Sequence, residues 1–139
     1  MAMYLEFVVE GPPLSNQSRT SQAKENVKSW RAKVAGEARN RWAAPPLLGT
    51  LRAVLVNFHA GDVPSVDVDN MSKPIFDCME DIIYDNDRQI RQADIVHLSI
   101  DSDYSFVGVS RIIIDALQVG AQFVYVRIED PIDPFPLPG

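Results

Sequence analysis

Between Ser21 and Trp42 the apolar residues recur at helical spacing. At about 100° per residue, Ala23, Val27, Trp30, Val34 and Ala38 fall on one stripe. A helix of this length with so narrow an apolar face must lay that face on another layer, and Pro45-Pro46 ends it. Ser21 reads as the N-cap. Lys24, Lys28, Arg31 and Arg39 occupy the adjoining sector, so the helix can pack on a sheet while turning a row of cations outward.

The sheet it needs is written in four stretches rich in β-branched and aromatic residues: Tyr4–Val9, Thr50–Phe58, Asp94–Asp101 and Phe123–Glu129. A second amphipathic helix runs to about Ile83. Met71, Ile75, Cys78, Met79 and Ile82 share its apolar face, and Lys73, Asp77 and Glu80 point the other way. Pro74 belongs in its first turn, which makes Asn70 or Ser72 the expected N-cap. Ser110–Val119 reads as a short helix closed by Gly120, although Ile112-Ile113-Ile114 also fits a strand. The expectation is an α+β fold: a single domain with a mixed β-sheet of about four strands packed with two main helices. The domain is expected over residues 1–129. A tail over 130–139, with four prolines in ten residues, is expected to run extended over the surface or onto a partner chain.

The lone Cys78 excludes an internal disulfide and a cysteine-based zinc site, and His59 and His97 are too far apart for a local ligand motif. Cys78 and His59 read as structural, and His97 as a packed or half-exposed strand residue. With no basic patch before an apolar run, and no apolar stretch near the ~18 residues a membrane span needs, the expectation is a cytoplasmic protein with no membrane partner.

The chemistry-bearing residues are acidic. Asp67 and Asp69 flank one residue, so an extended segment would project both carboxylates to one side. Asp87 follows one helix and a turn. If the fold returns it to that helix, three carboxylates meet, and a hard divalent cation is the natural neutraliser. Lys73, one turn into the helix, would then hold a phosphate or steady a leaving oxygen. An Asp-x-Asp pair serves equally as a solvated turn or a helix cap, and that reading stays open at this point. A calcium loop fits poorly, because the fifth, sixth and twelfth positions from Asp67 hold Met71, Ser72 and Cys78.

Net charge is −6, but it is unevenly distributed: +4 over residues 1–59 and −10 over residues 60–139. Seven of the thirteen basic residues lie between Arg19 and Arg41. This suits a protein with one phosphate-attracting surface and one acidic centre, Arg19, Lys24, Lys28, Arg31 and Arg39 carrying the flanking phosphates. It also suits a solvated basic helix beside acidic loops.

The run Asp67-Val-Asp69-Asn70-Met-Ser-Lys73-Pro-Ile-Phe76-Asp77, followed by Tyr84-Asp-Asn-Asp87-Arg-Gln89-Ile90, resembles the RusA-like family of Holliday-junction resolvases (crossover junction endodeoxyribonucleases). That family carries Asp-x-Asp-Asn-x-x-Lys at a helix start, then an acidic element ending in Asp-x-Gln-hydrophobic. Pro12-Pro13-Leu14-Ser15-Asn16 is similar to its Pro-Pro-Ser-Asn loop, with Leu14 inserted. The resemblance implies a homodimeric endonuclease that binds branched DNA, a four-way junction, and nicks opposing strands. It implies metal ligands at Asp67, Asp69 and Asp87, a catalytic Lys73, structural roles for Asn70 and Gln89, and Mg2+ (or Mn2+) with no small-molecule cofactor. Two departures stand out. Residues 60–66 lack the family's basic residues and add Asp62, and the overall acidity is unusual for a junction binder, because phosphate contacts supply much of the affinity; residues 102–121 and the tail have no counterpart. The alternatives are a catalytically decayed branched-DNA-binding module and a non-catalytic acidic protein-interaction domain.

Overall fold

A computed structural model of the chain describes residues 2–16, 20–105 and 108–139. In chain order these form β1 (Met3–Glu10), α1 (Ser21–Arg41), β2 (Leu51–His59), α2 (Val68–Met79), β3 (Ile90–Ser99), α3 (Arg111–Val119) and β4 (Phe123–Glu129), with one 3-10 turn over Asp87–Gln89 before β3. The strands make one mixed sheet in the order β1-β4-β2-β3. β4 pairs antiparallel with both β1 and β2, and β2 pairs parallel with β3. β1, β2 and β3 therefore share one direction, each linked to the next by a helix, as parallel strands require. β4 returns between them.

α1 and α2 cover one face. Val27, Trp30, Val34 and Ala38 of α1 are buried, and Met71, Ile75, Cys78 and Met79 of α2 are buried in the same core with Leu5, Phe7, Leu51 and Leu55 of the sheet. The stripe read from the sequence is thus the packed face of α1. The shorter α3 covers part of the opposite face, laying Ile112, Ile113, Ala116 and Leu117 near Phe58, Phe123 and Tyr125. It is a helix, and Gly120 ends it at φ +83°, a left-handed conformation a side chain would resist.

Several boundaries differ from expectation. The α1 cap is Thr20, whose hydroxyl accepts from the Ala23 N–H at 3.1 Å; Ser21 is the first helical residue. α2 begins at Val68, with Asp67 as its N-cap, and stops at Met79. Ile82 therefore lies beyond the helix, and Pro74 is its seventh residue rather than part of its first turn. β3 begins four residues before Asp94 and ends at Ser99, because its pairing with β2 starts at Leu51↔Ile90. The first residues of the tail are tied down. The Gln92 side chain donates to the Ile132 carbonyl at 3.0 Å and accepts from its N–H at 2.9 Å, and Asp130 N–H donates to the Ala2 carbonyl at 2.8 Å. Among the described residues no helix is long and apolar enough to cross a membrane.

Candidate active site

The site lies along the outer face of α2 and at the turn after it. Asp67 caps the helix through its backbone: its carbonyl accepts from Asn70 and Met71 N–H at 3.1 Å, and its side chain makes no cap bond. Asp69 falls in the first turn, where a carboxylate suits the positive end of the helix dipole. The two aspartates do not sit in one extended segment, as the sequence reading supposed; both are exposed at the head of α2. Lys73 follows one turn after Asp69 and Asp77 one turn after Lys73, so all three share one side of the helix.

A sharp reversal brings Asp87 back to this side. After Met79 the chain leaves helical geometry at Glu80, and Asp81 adopts φ +67°. Asp81 N–H donates to the Tyr84 carbonyl at 2.7 Å, closing the turn. Buried Ile83 and Tyr84 anchor it, the Tyr84 hydroxyl donating to the Phe76 carbonyl at 2.6 Å. Asn86 and Gln89 form a capping box around the 3-10 turn that starts at Asp87. Gln89 accepts from Asp85 and Asn86 N–H at 3.0 Å each and donates to the Leu47 and Gly49 carbonyls at 2.9 and 3.0 Å, so one side chain ties the Asp87 turn to the connection between α1 and β2.

The result is a carboxylate cluster. Asp77, Glu80 and Asp87, all half-buried, each offer an oxygen within 4.8 Å of the others. Lys73 Nζ donates to Asp77 Oδ1 at 2.8 Å and to Asp87 Oδ2 at 3.2 Å. Glu80 Oε1 accepts from the Asp87 N–H at 3.1 Å. The bonds to Asp77 and then Asp87 raise the Lys73 pKa above its usual value. Tyr84 is pushed up as well, by burial first and then by the charges of Asp87, Glu80 and Asp77.

Lys73 and Asp87, both read from the sequence, are thus brought together, with Asp77 and Glu80 joining them. Asp67 and Asp69, at the head of the helix, are not among the carboxylates that meet within 4.8 Å. The partnership of Asp77 and Glu80 with Asp87 was missed by sequence reasoning, although the shared polar face of Lys73, Asp77 and Glu80 was visible.

Of the cations read from the sequence, Arg19 lies outside the described residues. Lys24, Lys28 and Arg39 are exposed on α1, and Arg31 is half-buried. The Arg31 guanidinium acts on the Cys78 thiol of α2, partly opposing the rise in its pKa that burial causes. On the other flank of α1, Lys33 donates to the Glu10 carbonyl at 2.8 Å. Arg31 is thus the member of this row that reaches α2, while Lys24, Lys28 and Arg39 lie exposed on the flank of α1 away from Lys33.

The family model described as endodeoxyribonuclease RusA matches residues 11–109 of the 139. That span takes in α1, β2, α2, the Asp87 turn and β3. No curated protein matches the chain.

Proposed function

With residues 11–109 matched, the chain belongs to the RusA endodeoxyribonuclease family, and on that premise we propose that it nicks four-way DNA junctions by divalent-cation-assisted hydrolysis of a phosphodiester. The carboxylates of Asp67, Asp69 and Asp87 form its acidic set, and Asp77 and Glu80 extend that set around Asp87. The donor chemistry fits the ion. All are hard oxygen ligands, and three of them already converge within 4.8 Å. When bound, magnesium or manganese would activate a water and offset charge on the phosphate.

The observation that carries this reading is the Lys73–Asp87 contact at 3.2 Å, which joins motif elements 14 residues apart. Lys73 serves two purposes. Its ammonium holds Asp77 and Asp87 close despite their like charge, and it offers donors to a phosphate oxygen at the same place. The α1 cations flank the DNA backbone. The enzyme works as a homodimer, whose two-fold axis lets two sites address symmetry-related strands.

The test is incubation with a synthetic four-way junction and a matched linear duplex, each with magnesium, manganese or EDTA. Paired nicks in the junction that need the metal, and that fall by on the order of 100-fold in Asp87→Asn, are expected. Tight junction binding without cleavage in any metal would instead mark a binding module. Absence of both binding and cleavage would mark an acidic interaction domain.

A further inference from the structure

The four strands are not equally covered. β1, β2 and β4 each bury residues, whereas none of the ten residues of β3 is buried. β1, the other edge strand, is packed by both α1 and α3. β3 has β2 on one side, and among the described residues no strand pairs with its outer side. α2 packs against one of its faces. On the opposite face Val96 and Leu98 are 39% and 36% exposed, and Val96 continues the surface of half-buried Val56, its partner in the ladder.

Long edge strands are ordinarily guarded by a lysine, a proline or a bulge that turns other strands away. β3 holds no lysine and no proline, and its one irregularity falls at Arg91, so the run from Gln92 to Ser99 keeps a regular register. Residues 95–100 carry no fixed charge. The charges stand at the two ends and differ in sign: Arg91 comes five residues before Val96, and Asp101 five residues after it. Both are exposed, and neither forms an ion pair among the described residues. A strand that is positive at its start and negative just past its end is complementary to itself when turned antiparallel. A two-fold axis at Val96 sets that residue against its own copy and each Arg91 opposite the other copy's Asp101. A parallel approach would set like charges together instead.

We propose that a second copy of this chain pairs antiparallel with β3 and joins the two sheets edge to edge, with Val96 and Leu98 at the centre and Arg91–Asp101 pairs at the rim. This names the surface for the homodimer of the proposed function and rests on that reading. Backbone hydrogen bonds and apolar contact hold the copies together, and the rim charges fix the register.

The experiment measures the mass of the full chain by sedimentation equilibrium over a concentration series, with circular dichroism as the check on folding. Wild type is expected at twice the chain mass of 15.5 kDa. Val96→Glu should raise the dimer dissociation constant by on the order of 100-fold, because it puts like charges together on the axis. Its spectrum should stay that of the wild type, since Val96 is exposed. Arg91→Glu should weaken the dimer by about tenfold, and Asp101→Arg added to the same chain should restore it. A folded Val96→Glu as dimeric as wild type would overturn this surface and leave the homodimer reading standing. A wild type that is monomeric throughout the series would overturn both. Should Val96→Glu not fold, the charge reversals decide: weakening by Arg91→Glu that Asp101→Arg cures supports the pairing, and an Arg91→Glu dimer as tight as wild type sinks it. Junction cleavage is read separately. Monomeric Val96→Glu is expected to nick arms singly rather than in pairs, and a wild-type dimer that dissociates in Val96→Glu but cleaves no DNA would keep the interface and remove the resolvase reading.

Discussion

Lys73 sits at the centre of a line of carboxylates, with Asp69 one turn before it, Asp77 one turn after, and Asp87 reached across the turn at 3.2 Å. Its pKa is raised by the bond to Asp77 and then by that to Asp87. The sign follows from linkage: any stability this ammonium lends is fully present below the unfolded lysine value and is lost only as pH climbs through the higher folded one. Lys73 therefore stays charged across the neutral and mildly alkaline range, and a loss of cleavage on that side belongs to some other group. Lys73→Met should lower cleavage by on the order of 100-fold. It should leave the urea midpoint almost unmoved, because exposed pairs contribute little to stability. A variant that loses both together would show Lys73 to be structural. At this scale the meeting of Lys73 with Asp87 was readable, because each occupies a motif position. The union of Asp77 and Glu80 with Asp87 was not, because it depends on how the chain reverses at Asp81, whose positive φ no glycine announces.

The element that makes the site is the segment from Glu80 to Gln89, and Gln89 is its fastening. Four hydrogen bonds of 2.9–3.0 Å from one side chain tie the Asp87 turn to the connection between α1 and β2. At roughly 1 kcal/mol each, Gln89→Ala should lower unfolding free energy by about 2 to 4 kcal/mol, measured by urea titration. At temperatures where the variant remains folded its cleavage should still fall, because the turn presenting Asp87 has lost its anchor; unchanged cleavage there would show that Asp87 needs no such support. The larger elements were legible because two periodicities dominate them, the 3.6-residue stripe of α1 and the β-rich runs of β1, β2 and β4. The ends were harder. Thr20 and Ser21 are adjacent hydroxyl residues and only geometry chooses the cap. Pro74 was placed in the first turn by the general cost of interior proline, a cost that the buried contacts of Met71, Ile75, Cys78 and Met79 outweigh. The start of β3 is set by pairing with β2, a long-range contact that Arg91, Gln92 and Ala93 do not signal.

Over the whole molecule, a chain of net charge −6 must bind a polyanion, and the resolution lies in where its charges fall. The cation row of α1 includes Arg31, which reaches α2, so DNA lying against α1 would bring a phosphodiester toward the acidic helix, where a divalent cation, once bound, would lower the local repulsion. Each phosphate neutralised contributes roughly 0.9 to the slope of log affinity against log salt. Replacing Lys24, Lys28 and Arg39 together with glutamine should therefore reduce that slope by about 2 to 3, measured by junction binding in calcium or EDTA across a salt series. Arg31 is left in place because it also acts on Cys78, and its removal would mix packing with charge. Lys33→Gln is the matched control: its ammonium is turned to the Glu10 carbonyl on the other flank, and its slope should stay that of the wild type. Cleavage at saturating enzyme should survive the triple replacement, since none of the three touches the carboxylates. An unchanged slope would mean that DNA reaches Asp87 by another surface, and that the cations of α1 serve only to keep the helix in water.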